Sequence, residues 1–245
     1  NSAALGRLAA KDIAARLNAA IAEKGFARVV LSTGASQFDM FTALVKEPVD
    51  WSKVEMFHLD EYIGIPDTHI ASFRKYLKER FLANVPSLTQ VNFVNVEGNI
   101  VQAIADVSAK LLEKPVDVGV IGIGENGHIA FNDPPADFAT TDPYIIVTLD
   151  DACKRQQVRE GWFPDIDSVP KQAVSMSVFQ IMQCKSIVSV VPHAVKSWAV
   201  KNALTQPVSP TIPASMLRMH PDWTLYLDEN SASELDKNSL ARFLV

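Results

Sequence analysis

Val116-Asp-Val-Gly-Val-Ile-Gly-Ile-Gly-Glu-Asn-Gly-His-Ile-Ala-Phe-Asn-Asp-Pro134 decides the fold. The stretch opens as a short apolar run, Val116 to Ile123, of the kind that fills a buried parallel strand. At Gly124-Glu-Asn-Gly127 the backbone must turn sharply with little side-chain bulk in the way. His128, Asn132 and Asp133 follow directly, which puts polar groups at the C-terminal end of a strand. In open α/β sheets that edge is where ligands bind. An imidazole beside a carboxylate is a proton-transfer unit, because the carboxylate fixes the tautomer and supports the cationic form. An isolated Gly-x-His would be better read as a structural histidine. Here strand, glycines and carboxylate arrive together, and the functional reading is preferred.

Outward from this stretch, strands and helices alternate. Ala3 to Glu23 carries Leu5, Leu8, Ile13 and Leu17 at helical spacing, and Gly25 stands where a helix stop is wanted. Ala27 to Leu31 is a buried strand ending in Ser32-Thr33-Gly34-Ala35-Ser36, with a helix from Gln37 to Val45. Free backbone N–H groups, hydroxyls and a helix start at one spot make a phosphate cradle. The turn is neither a Walker nor a dinucleotide sequence, and read alone Ser36 would be an ordinary N-cap.

Trp51 to Leu59 is a second strand and runs into Asp60-Glu61-Tyr62. Adjacent strand residues point to opposite faces, so one acid can face a ligand while the other makes structural contacts. Ser72 to Phe81 reads as a helix with Phe73, Tyr76 and Leu77 inward and Arg74, Lys75, Lys78 and Glu79 outward. A short strand at Val91 to Val94 and a helix at Val101 to Leu112 lead back to the central strand.

Beyond it, Pro134 to Pro143 is rich in turn formers and reads as a mobile lid. Tyr144 to Leu149, Val174 to Val178, Ser186 to Val191 and Thr224 to Leu227 read as strands. Asp150 to Phe163 is polar and holds Lys154, Arg155 and Arg159. Phe179 to Cys184 reads as a short helix, Lys196 lies at a strand-to-helix junction before a helix reaching Leu204, Pro213 starts a helical turn, and Ser231 to Leu235 is a last helix. With no repeat and no linker, residues 1–245 are expected to form a single domain. Its class is α/β: a right-handed parallel sheet with helices on both faces, a Rossmann-like three-layer sandwich.

Composition narrows the function classes. Apolar residues make up 48% and charged residues 21% of the 245, as in an ordinary globular protein. A net charge of −5 argues against a general nucleic-acid binder. No apolar run is long enough to cross a membrane. Cys153 and Cys184 fit no metal-ligand spacing and read as reduced thiols of a cytoplasmic protein. The chain opens on Asn1 rather than Met, which reads as a trimmed chain or a start inside the natural one, where an N-terminal strand could be missing.

Several of these segments together carry a resemblance. Ser32-Thr-Gly34, His58-Leu-Asp-Glu-Tyr-Ile-Gly64, Gly122 to Pro134, Asp167-Ser-Val-Pro170, Lys196 and Pro213-Ala-Ser215 resemble the glucosamine-6-phosphate deaminase (isomerase) family, over about Ser32 to Asp228. Asp60-Glu-Tyr62 and Gly127-His-Ile-Ala-Phe-Asn132 are similar to its aminosugar branch. The related 6-phosphogluconolactonases tend instead to Asp-Glu-Arg and Gly-His-Thr-Ala-Ser-Leu.

The resemblance implies conversion of glucosamine 6-phosphate, or galactosamine 6-phosphate, and water to the ketose 6-phosphate and ammonia, with no metal and no redox cofactor. It implies a ring-opening unit of His128 with Asp133 and Asn126, and Asp60 as the base moving a proton from C2 to C1. Ser32, Thr33, Gly34, Ala35 and Ser36 would hold the phosphate with Lys196 and either Arg155 or Arg159. The implied partner is a small-molecule hexosamine phosphate; a homo-oligomer is compatible with this.

Three positions depart from the pattern: Asp133 where well-known members have Glu, Asn126 where some have Asp, and Gly161 where an arginine is expected. Two other readings share the fold: a lactone hydrolase, which needs no C2 base, and a non-catalytic sugar-phosphate sensor. Tyr62 and Phe131-Asn132 speak against the first, and the retained Asp60 and His128 against the second.

Overall fold

In the computed structural model, which describes residues 1–236, six parallel strands form the central sheet in the order β4-β2-β1-β5-β8-β9. These are β1 (Ala27–Leu31), β2 (Val54–His58), β4 (Gln90–Asn92), β5 (Val118–Val120), β8 (Ser186–Val191) and β9 (Trp223–Leu227). Every residue of β1, β2, β5 and β8 is buried, so these segments are mostly apolar without alternation, and the buried charges of Arg28 in β1 and Glu55 in β2 are paired at 2.8 Å. The expected strand Val116 to Ile123 is shorter in its ladder, but Ile121 N–H still donates to Val188 O at 3.0 Å.

The faces of the sheet are covered by two apolar clusters. On one, α1 (Ser2–Lys24), α2 (Phe38–Leu44) and α3 (Phe73–Arg80) bury Leu5, Ile13, Leu17, Phe41 and Leu77 against Val29, Leu31 and Val188. On the other, α4 (Ile100–Leu112), α6 (Val178–Ile181) and α7 (Ser197–Thr205) enclose Val30, Phe57, Ile121, Ile187 and Val200. Helix boundaries follow local chemistry. Ser72 Oγ accepts from Lys75 N–H at 3.3 Å to start α3, Asn99 does the same for α4, and Gly25 ends α1 at φ +84°.

A second sheet departs from expectation. β3 (Asp60–Tyr62), β7 (Gln172–Met176) and β6 (Tyr144–Thr148) form a small antiparallel sheet in the order β3-β7-β6. Tyr144 to Leu149 and Val174 to Val178 therefore do not extend the parallel sheet. The exposure of β6 alternates along the strand, the mark of a sheet with one wet face. Arg74, expected outward, is buried, because the fully buried Glu61 one strand away requires a cationic partner. Ser231 to Leu235 is a turn rather than a helix: Asp228 and Ser231 exchange side-chain-to-backbone hydrogen bonds that close it. The expected lid, Pro134 to Pro143, instead lines a groove behind Asp133, with Ala136 N–H tied to Pro210 O at 2.9 Å. Residues 237–245 of the expected single domain lie outside the described residues.

Candidate active site

The cleft lies at the C-terminal edge of the parallel sheet. Its first wall is the turn after β1. Ser32 N–H donates to Val120 O at 2.9 Å, and Gly34 adopts φ +100°, a conformation open mainly to glycine. The buried Gln37 side chain donates to Val190 O at 3.0 Å, pinning the turn across to β8. Ser32 Oγ is buried and has no protein partner, although its place in the cleft wall makes it a free donor to a bound group. Thr33, Gly34, Ala35 and Ser36 line the same wall.

Beside it, the two acids at the head of β3 divide their tasks. Glu61 is fully buried and accepts from Ser72 Oγ at 2.9 Å, Arg74 N–H at 2.9 Å and Phe73 N–H at 3.1 Å, so it anchors the start of α3. Asp60 faces the cleft, and its Oδ1 is buried with no hydrogen-bond partner among the described residues. Burial first, and the neighbouring Glu61 charge second, push the Asp60 carboxyl well above the usual carboxylate range. Tyr62 is buried behind it in a cluster with the Phe73, Phe131 and Phe163 rings, of which Phe73 and Phe131 line the cleft.

The central loop then delivers its histidine. Gly124 is indispensable here: a Cβ at that position would lie 2.2 Å from the His128 ring. His128 Nδ1 stands 3.2 Å from Asp133 Oδ1, within ion-pair reach, though the ring N–H is not aligned for a hydrogen bond. Asn126 braces both, with Oδ1 accepting from His128 N–H at 3.0 Å and Nδ2 donating to Asp133 at 3.3 Å. Asn126 does not itself line the cleft and is a positioning residue. Burial pushes the Asp133 carboxyl up, but the His128 contact, with the Asp150 N–H and Asn126, more than offsets this and leaves it below the usual value. Asn132, fully enclosed, donates to Met176 O and Ile129 O at 2.8 Å and so fixes the loop to β7.

Lys196 enters from the turn after β8. It is 4% exposed, and burial lowers its pKa against the opposing pull of Glu160 and Glu125. From α5 (Asp151–Arg159) and the residue after it, Gln156, Gln157 and Glu160 complete the lining. These three were not anticipated. A signal existed: Cys153, Gln156 and Gln157 stand at i, i+3 and i+4 and are buried, so polar amides sit on the inward face of a helix. The two arginines behave otherwise. Arg155 is exposed and outside the cleft lining, and Arg159, half-exposed, is ion-paired with Glu125.

Asp60, His128, Lys196 and the 32–36 turn thus converge on one cleft supplied with separate acid–base groups and a cation. Known proteins resemble this chain in sequence and fold. Residues 1–226 match the family described as glucosamine-6-phosphate isomerases/6-phosphogluconolactonase. A glucosamine-6-phosphate deaminase of Staphylococcus epidermidis is 30% identical over 93% of this chain and 95% of its own length. One from Streptococcus uberis is 33% identical over 84% of this chain and 86% of its own. Among solved structures, a monomeric glucosamine-6-phosphate deaminase superposes with a TM-score of 0.85 at 28% identity, covering 95% of this chain and 96% of that one. A 6-phosphogluconolactonase from Trypanosoma brucei, 16% identical with a TM-score of 0.79 over 96% of both chains, shares the fold. A shared fold, a match along nearly the whole sequence and relatives at 30% identity or more lead to one conclusion: the chain belongs to the glucosamine-6-phosphate isomerase/6-phosphogluconolactonase family.

Proposed function

We propose that the chain is an aminosugar-phosphate deaminase/isomerase, converting glucosamine 6-phosphate, or its galacto isomer, and water to the ketose 6-phosphate and ammonia. The observation that carries the reading is Asp60 on the cleft wall, buried, with a free Oδ1, opposite the separately braced His128–Asp133 pair. Relatives named glucosamine-6-phosphate deaminase support it.

In this reading the substrate phosphate rests on Ser32 to Ser36, with Lys196 supplying a buried cation. His128 shuttles the proton between the C1 hydroxyl and the ring oxygen, and the ring opens. Asp133 supports the imidazolium that forms, and Asn126 holds the two in register. Asp60 then takes the proton from C2 and returns it to C1. The nitrogen is left on a C2 imine, which water hydrolyses to the ketone and ammonia. A resting Asp60 with a raised pKa favours its neutral form, and a substrate ammonium close by shifts it toward the carboxylate that acts as base.

Two variants separate the two units. Asp60→Asn keeps the shape and deletes the base, so ammonia release and C2 deuterium exchange should both fall about 10²–10⁴-fold. His128→Gln should keep slow turnover limited by spontaneously opened substrate, with C2 exchange persisting at that reduced rate. Parent enzyme that exchanges no C2 proton while hydrolysing a sugar-phosphate lactone would replace this reading with the lactonase one. Undiminished exchange in Asp60→Asn would remove Asp60 from its role.

A further inference from the structure

Cys153 plays no part in the chemistry above, yet it is placed at the back of the catalytic pair. Asp150 Oδ1 accepts from Cys153 N–H at 2.6 Å, starting α5, and Asp150 N–H donates to Asp133 Oδ2 at 3.2 Å. The start of the helix is thereby stitched to the carboxylate that partners His128. As a result, one ligand atom each from His128, Asp133 and Cys153 lies within 4.8 Å of the other two. Those spacings are wide enough for a small cation to draw the three atoms in, since Zn–N and Zn–O bonds are about 2.0–2.2 Å and Zn–S about 2.3 Å. Imidazole, carboxylate and thiolate together form a donor set suited to a borderline-soft ion, and a poor one for magnesium or calcium. His128 Nδ1 is not aligned for a hydrogen bond among the described residues, and its 3.2 Å approach to Asp133 Oδ1 is the contact that the ion would replace.

The ligands border two different openings. His128 lines the substrate cleft, whereas Asp133 lines the separate groove formed by Pro135, Ala136 and the β6 residues Tyr144 to Thr148.

We propose that His128, Asp133 and Cys153 form an inhibitory site for a thiophilic divalent cation such as Zn²⁺, which switches the enzyme off by capturing its ring-opening histidine. Binding forms bonds from the ion to the imidazole nitrogen, the carboxylate and the sulfur. The Sγ–H bond breaks as the S–Zn bond forms, its proton passes to solvent, and no electron changes hands. Water completes the coordination. His128 then has neither a free lone pair for the proton shuttle nor Asp133 to support its cation. The effect on turnover rests on the deaminase reading above, but occupancy of the site does not.

Occupancy is read with Co²⁺ as a spectroscopic stand-in on chelator-treated protein, through the thiolate-to-cobalt charge-transfer band. The parent should show the band at one ion per chain, Zn²⁺ should abolish it by competition, and Cys153→Ala and Cys153→Ser should lack it. Absence of the band in the parent, or its persistence in a folded Cys153 variant, would overturn the site. Activity is then followed against added Zn²⁺. Metal-free Cys153→Ala should turn over like the parent and require at least about tenfold more Zn²⁺ for half inhibition. Cys153→Ser keeps the volume and serves if the alanine variant folds poorly. Equal Zn²⁺ sensitivity in variant and parent would place the inhibiting ion elsewhere and sink the proposal. A protein with the band but without deaminase activity would instead refute the proposed reaction and leave the metal site standing.

Discussion

His58 shows how much one residue can reveal. It ends β2 fully buried, with neither ring nitrogen bonded and the edge of the ring set against Phe93 at 5.4 Å. Burial, reinforced by the Arg74 charge, lowers its pKa to about 3 from an ordinary 6.5. A depressed folded pKa means that the unfolded chain binds the extra proton between about pH 6.5 and 3. Stability is therefore complete above pH 6.5 and falls as the solution is acidified, by about 1.4 kcal/mol per pH unit well inside that window. Asp60 works in the opposite direction, since its raised pKa favours the folded state on acidification, so comparison with a variant isolates the histidine. Urea unfolding at pH 7 and pH 5 is expected to cost the parent about 2 kcal/mol more than His58→Phe. Identical losses would show that His58 takes its proton without unfolding. The sequence marks His58 only as part of a motif, because nothing local says that both ring nitrogens go unbonded.

At the scale of elements, the join between β3 and α3 hangs on Glu61. One carboxylate collects Ser72 Oγ, three backbone N–H groups and the Arg74 guanidinium, which also reaches Glu97 at 3.0 Å. Glu61→Ala would strand a buried arginine and uncap the helix, and is expected to lower unfolding free energy by about 3–5 kcal/mol. A loss under about 1 kcal/mol, the worth of an exposed pair, would contradict the role assigned to it. The same join shows what could be read beforehand. That one of Asp60 and Glu61 would be structural followed from strand alternation, and the buried strands β1, β2 and β8 announced themselves as short, mostly apolar segments. The partner of a strand is not written in its own residues. Tyr144–Thr148 and Gln172–Met176 carried ordinary strand patterns, and only three-dimensional packing sent them to the antiparallel sheet. The inward face of α5 left only a faint trace: the i, i+3 and i+4 spacing of Cys153, Gln156 and Gln157 stands in the sequence, but amides there look like a solvated surface until the cleft they border is known.

For the molecule as a whole, the two portions of the chain occupy separate contiguous blocks of each sheet. The first part of the chain contributes β4-β2-β1-β5, a contiguous block of the large sheet, along with β3; the remainder contributes β8-β9 and the pair β7-β6. One seam, between β5 and β8 and between β3 and β7, therefore separates the two portions, and it runs through the cleft. Asp60 and His128 stand on one side of it and Lys196, Gln156 and Gln157 on the other. α1 straddles the seam, with Arg16 bonded to Asp222 and Thr224 on the far side. Thr141 and Asp142 are exposed at the crossing, which makes the bond between them a natural place to divide the chain. The first fragment carries Asp60, His128 and Asp133 but lacks Lys196 and the α5 wall of the cleft, and the second carries no acid–base pair, so each expressed alone should release no ammonia, and the two expressed together should recover it. Turnover by the first fragment alone would refute this. The protein is in effect an AND gate written into a sheet: fused to two other proteins, its halves would report by their chemistry that the two had met.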